Sequence, residues 1–179
     1  MSAHTAHPPP DGPALSDLAL VWARTRSAAD LAALREAVRG SAGFDPGLDV
    51  VALAGPALAR GDHAEAASLV HAAMPGAFFS PSAHAALAAA HAGLGDDARV
   101  RAERTLQALA LESIRSTGDG TRERPWSVLR VSDEYDVLRA DRRTSRQQSL
   151  LTVHGRSLDR HECDDGSEAW FDVSGLVRA

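Results

Sequence analysis

The chain reads as an α+β protein: an N-terminal antiparallel α-hairpin repeat over 14–115, followed by a small antiparallel β meander within 116–179. Three observations lead there. Apolar residues recur at helical spacing through the first two thirds, and two Gly-Asp turns stand 34 residues apart. From residue 116 alanine nearly vanishes while β-formers, arginines and glycine turns take over.

Residues 1–13, with three consecutive prolines, predict a disordered lead-in. Helical spacing then gives a first pair of helices at 14–26 and 28–38, with Ser16 a candidate cap for the first and Gly40 and Gly43 ending the second. Trp22 is placed to fill the gap against the next hairpin. Two further hairpins follow at 47–75 and 81–109, led by Pro46 and Pro81, since a proline at a helix start sacrifices no hydrogen bond. Six helices result, the last running from about 96 to 114.

The two later hairpins superpose in one register. Val50, Leu53, Ala54 and Ala57 fall on His84, Leu87, Ala88 and His91 at first-helix packing positions. Gly61 falls on Gly95 at the turn, and Ala66 on Val100 at the small position of the second helix. Small residues at the crossing allow close antiparallel approach, and glycine permits the tight turn. On these residues the segment resembles a tetratricopeptide-type repeat, although Gln107 and Val100 depart from its pattern. Two repeats are few for a free-standing stack, so the first hairpin and the C-terminal part are expected to cap it.

In the last third, 125–131 predicts a strand with Pro125 at its edge, and 132–140 a short helix with Ser132 as N-cap and Asp133 and Glu134 near its positive end. Strands follow at 147–153, 156–163 and 168–173, joined by His154-Gly155 and by 164–167, both supplying glycine for hairpin turns. One face of this meander is expected to pack on helix 96–114. Gly118-Asp119-Gly120, Asp133-Glu134-Tyr135, Gln148-Ser149-Leu150 and Phe171-Asp172 together resemble an uncharacterised bacterial family, a domain of unknown function with a helical-repeat front and a short β end. That resemblance spans roughly 47–174 and implies the architecture but no activity.

Composition narrows the function classes. All 19 basic residues are arginine, and the 179 residues include neither lysine nor asparagine, a bias that implies a GC-rich bacterial source. Net charge is −5, split as −3 over 1–116 and −2 over 117–179, which argues against a nucleic-acid partner. The lone Cys163 excludes an internal disulfide, and no signal peptide or membrane-length apolar run is read, so a cytoplasmic location is expected. No Walker loop, nucleophile elbow, dinucleotide fingerprint or His-Glu-x-x-His is present. Neither a metal nor a cofactor is expected.

Candidate chemistry is sparse. His84 and His91, seven apart, read as packed rather than ligating, because chelation from one helix uses the i, i+4 spacing. His63 reads as structural. His161 and Cys163 share one face of their strand and with His154 could hold a metal or act as a thiol and its base. The acidic turn after Cys163 would raise rather than lower the thiol pKa, and the alternative is a small buried filler. Arg139, Arg142, Arg143 and Arg146 surround a loop that could hold a carboxylate or phosphate, or simply pair with Asp136 and Asp141 in solvent. Asp133 with Asp136 could do acid–base work, but the pair reads first as charge at a helix N-terminus.

The groove positions, among them Leu48, Val51 and Ser82, are small and apolar and lack the carboxylate-clamp pattern of tail-binding repeats. The expected function is therefore a non-catalytic adaptor that binds a protein or peptide. The alternative is a small enzyme, or a binder of an anionic metabolite, in the cleft between the two parts. Its candidates are Arg142, Arg143, Arg146, Tyr135, His161 and Cys163.

Overall fold

The computed structural model describes residues 14–176. The expected lead-in, 1–13, lies outside them. Six helices come first, as the periodicity requires: Leu15–Thr25 (α1), Ala28–Arg39 (α2), Val50–Ala59 (α3), His63–Ala72 (α4), Pro81–Gly93 (α5) and Asp97–Arg115 (α6). Ser27, Asp49, Asp62, Ser80 and Asp96 cap α2 to α6 with side-chain oxygens that accept first-turn amides. Ser16 does not cap α1. Ala14 holds that position and offers no side-chain acceptor.

The turns 34 residues apart are built alike. Gly61 and Gly95 take φ of +76° and +75°, which only glycine adopts without strain. The amides of Asp62 and Asp96 donate to Ala57 and His91 carbonyls, each at 2.9 Å. Ala54, Ala57, Ala66 and Ala90 are fully or nearly fully buried around Val50, Val70 and Leu87, so these helices meet through small side chains. His84 and His91 are packed, as expected; His84 Nδ1 lies 2.7 Å from Glu103. The His63 ring lies over Gly93, where an added Cβ would fall 2.1 Å from it.

The C-terminal part contains Trp126–Ser127 (β1), Val131–Ala140 (α7), Ser145–Val153 (β2), Arg156–Cys163 (β3) and Glu168–Asp172 (β4). The sheet order is β1-β4-β3-β2. The β2-β3-β4 meander is antiparallel, whereas β1 pairs parallel to β4, so the sheet is mixed and not the purely antiparallel one expected. The strand expected over 125–131 shrinks to two residues because Leu129 and Arg130 turn away to start α7. Their amides both donate to Asp133 Oδ2 at 3.0 Å, a cap made from inside the first turn. Ser132 is thus not the N-cap; its hydroxyl donates to the Leu48 carbonyl.

The two parts are joined along α7. The Val131 amide donates to the Pro46 carbonyl, and the Ser82 amide, at the start of α5, donates to Asp136 Oδ2 at 2.9 Å. Arg35 on α2 donates to Ser127 Oγ on β1. One apolar cluster crosses this seam, uniting Trp22, Leu34 and Val38 with Phe79, Ala110 and Leu129. A second lies under the sheet, where Phe171, Ala169, Cys163 and Trp126 meet Val137, Leu138 and Ile114 of α6.

Candidate functional site

Strand parity sets the site. Gln148 pairs with His161 and Leu150 with Asp159, so these four side chains share the sheet face that looks toward α7. On α7 the inward stripe is partly acidic: Asp133, Glu134 and Asp136 are buried alongside Val137 and Leu138. Carboxylates are thereby brought against a histidine in a dry layer.

Two hydrogen-bonded chains run through it. His161, fully buried, places Nε2 2.6 Å from Glu134 Oε2 and Nδ1 2.8 Å from Ser145 Oγ. The Tyr135 hydroxyl donates to Gln148 Oε1 at 2.5 Å, and Gln148 Nε2 donates to Asp159 Oδ2 at 2.7 Å. The Tyr135 ring stands edge-on to His161 at 5.3 Å, so the chains touch. A bulge at Arg146 shifts the β2 register between Ser145 and Gln147 and keeps Ser145 on the inner face.

Electrostatics follow from burial. Desolvation pushes the Glu134 carboxyl up to about 7, opposed by the hydrogen bond from His161, with Asp159 and Asp133 adding to the rise. Asp133 is raised to about 6 by burial, against the pull of the Arg130 charge. Asp136 is raised by burial too, with Ser82 and Arg139 opposing. The linkage sign is the reverse of a surface carboxylate's. Between the ordinary glutamate value of 4.5 and about 7, the folded chain holds more protons than the unfolded one, so stability falls as pH rises. Glu134→Gln, which stays neutral, is expected to match the parent near pH 5 and to exceed it by several degrees in Tm at pH 8. Melting curves across that range check this, and a constant offset would refute it.

The candidate residues separate. Tyr135 and His161 sit at the centre of the network. Cys163 shares the face of His161 as the spacing predicts, but its thiol lies in the apolar cluster while both histidine nitrogens turn to Glu134 and Ser145. His154 occupies the exposed β2-β3 turn at φ +50°. Among the described residues no cluster of three or more His, Cys, Asp or Glu is arranged to hold a metal. Arg143 is held by Asp141 at 3.0 Å and lies over the Trp126 ring, whereas Arg142 and Arg146 are exposed. The arginines therefore do not form one anion clamp: Arg139 and Arg143 alone line a recess of about 260 Å³ with Tyr135, Thr144 and Ser145.

Glu134, Ser145, Gln148 and Asp159 were not distinguished by the sequence. One signal does point to Glu134: it stands three and four residues before Val137 and Leu138 on the apolar stripe of α7, where a solvated acid has no place.

Beside the network the surface opens. A cleft of about 440 Å³ runs between α3 and α7, lined by Leu48, Val51, Val131, Tyr135 and Asp136. A second recess of the same size runs from Val131 along the inner face of the sheet to Leu150 and Asp159. Among the described residues, no helix is long and apolar enough to cross a membrane. No protein-family model, curated protein or solved structure matches the chain.

Proposed function

We propose that the chain is an adaptor whose two adjoining recesses receive an extended segment of a partner protein. The observation that carries this reading is the exposure of large apolar side chains along one line: Val51 at 57%, Val131 at 40%, Tyr135 at 39% and Leu150 at 58%. Val131 lines both recesses and makes the strip continuous from the helical part to the sheet. β2 lies at the sheet edge, where an added strand could take up main-chain hydrogen bonds while its alternate side chains settle on the strip. Asp49, Asp136 and Asp159 line the recesses against a single cation, Arg139, which is already tied to Asp136. The partner segment is therefore extended, apolar at alternate positions and flanked by basic residues.

Fluorescein-labelled decapeptides with valine or leucine at alternate positions and lysine at both ends provide the probe, read by anisotropy. Saturable binding is expected, with affinity at least about tenfold weaker in a Val131→Glu/Leu150→Glu double variant, a change of about 1.4 kcal/mol. Both residues are exposed, so the double variant is expected to retain the fold. No saturation up to about 100 μM, or equal binding by the variant, would overturn the reading.

A further inference from the structure

We infer that Ser145, His161 and Glu134 form a nucleophile–base–carboxylate relay that transfers the acyl group of a small anionic ester to water. This goes beyond the adaptor reading and does not depend on it. Three elements contribute: Glu134 comes from α7, Ser145 from the start of β2 and His161 from the middle of β3. Ser145 Oγ to Nδ1 is 2.8 Å and Nε2 to Oε2 is 2.6 Å, so one imidazole bridges a hydroxyl and a buried carboxylate. The order of the ring nitrogens does not matter to the proton path, provided the carboxylate fixes the tautomer. With Glu134 ionised, Nε2 carries the proton toward it and Nδ1 is left as the acceptor facing Ser145.

Access is one-sided. His161 and Glu134 are fully buried, while Ser145 is partly exposed and lines the recess of about 260 Å³ with Thr144, Arg139 and Arg143. In relays of this kind the carboxylate is shielded and the nucleophile open; His161 is shielded here as well, and its Nδ1 meets the recess through Ser145. The volume suits a short acyl group. Arg139, 64% exposed at its side chain, bonds among the described residues to Asp136 through one guanidinium nitrogen, so the fitting substrate carries a carboxylate or similar anion for the others. The Ser145 hydroxyl also lies 3.3 Å from the Gln147 carbonyl, a weaker acceptor that holds it at rest.

The chemistry balances with water as sole co-reactant. Ser145 Oγ attacks the ester carbonyl carbon while its proton passes to His161 Nδ1, and the carbonyl electron pair moves to oxygen. The C–O bond to the leaving alcohol then breaks, and the alcohol takes the proton from Nδ1. Water repeats the sequence on the acyl-serine, releasing the carboxylic acid and restoring the hydroxyl. Of the residues that line the recess, Thr144 and Arg139 carry donors that a developing oxyanion could use, whereas Arg143 is bonded to Asp141, Ser167 and Glu168.

A fluorophosphonate at pH 8, followed by peptide mass spectrometry on the intact chain, tests the proposal. Expected is one adduct per chain at Ser145, absent in Ser145→Ala and formed at least about tenfold more slowly in Glu134→Gln. The rate should rise through about pH 7 as Glu134 ionises. Because Glu134→Gln is expected to be the more stable protein at pH 8, slower labelling in it cannot be a folding defect. p-Nitrophenyl acetate should give a burst of one nitrophenol per chain. Labelling of Ser145 no faster than of Ser174, an exposed serine just past β4, or a Glu134→Gln variant that reacts like the parent, would overturn the relay.

Discussion

Trp22→Ala is expected to lower the stability of the protein by about 3–5 kcal/mol, the range for emptying an aromatic site in a packed core. The indole is 1% exposed on the inner side of α1 and meets Phe79 edge-on at 6.1 Å, while Arg26 covers its ring at 4.8 Å. Its neighbours Leu34 and Val38 come from α2, Phe79 from the loop before α5, Ala110 from α6 and Leu129 from the segment leading to α7. Four other parts of the chain thus join α1 in one cluster, and none can slide inward without disturbing another. Denaturant unfolding followed by circular dichroism gives the loss directly. A cost below about 1 kcal/mol would mean that α1 does not dock as described.

Arg130→Met is expected to cost about 3 kcal/mol, more at pH 8 than at pH 5. The Arg130 side chain is wholly buried, donates to the Gly76 and Phe78 carbonyls and lies over the Phe44 ring at 5.1 Å. Methionine keeps much of the volume but deserts two carbonyls. It also removes the positive charge that holds Asp133 down. Burial has already brought that carboxyl to about 6, and without Arg130 it rises further. The folded variant then retains a proton that the unfolded chain releases, so its deficit widens as pH increases through 6 to 8. Adding Asp133→Asn should recover the pH-dependent share of the loss and not the rest. Equal deficits at both pH values would show that the two charges are not coupled.

The helical part was legible because its determinants are local. Apolar spacing, a glycine at a tight turn and a proline at N1 each act within four residues, and α2 to α6 follow them closely. The sheet was legible as a meander for the same reason: His154-Gly155 and 164–167 close neighbouring strands. The parallel β1-β4 pair was not, because Trp126 and Phe171 meet across 45 positions and neither neighbourhood encodes the other. The site failed to show itself on similar grounds. His161 was visible with its near neighbour Cys163, but its partners are 16 and 27 positions away on two other elements. Asp133 and Asp136 were read as charges near a helix start. Asp133 does serve its own helix, whereas Asp136 serves the start of α5, a relation that exists only once the chain is folded.

A nine-residue edge strand is a template for its own kind. Among the described residues β2 has β3 on one side and no strand on the other, and it shows Leu150 and Leu151 at its surface. Two copies in concentrated solution could zip together along that margin and recruit a third, the first step toward fibrils. Arg146 stands at the kink with its guanidinium in water, where a second copy would bring an identical cation against it. A cation at such a point on an edge strand acts against pairing between copies of one chain.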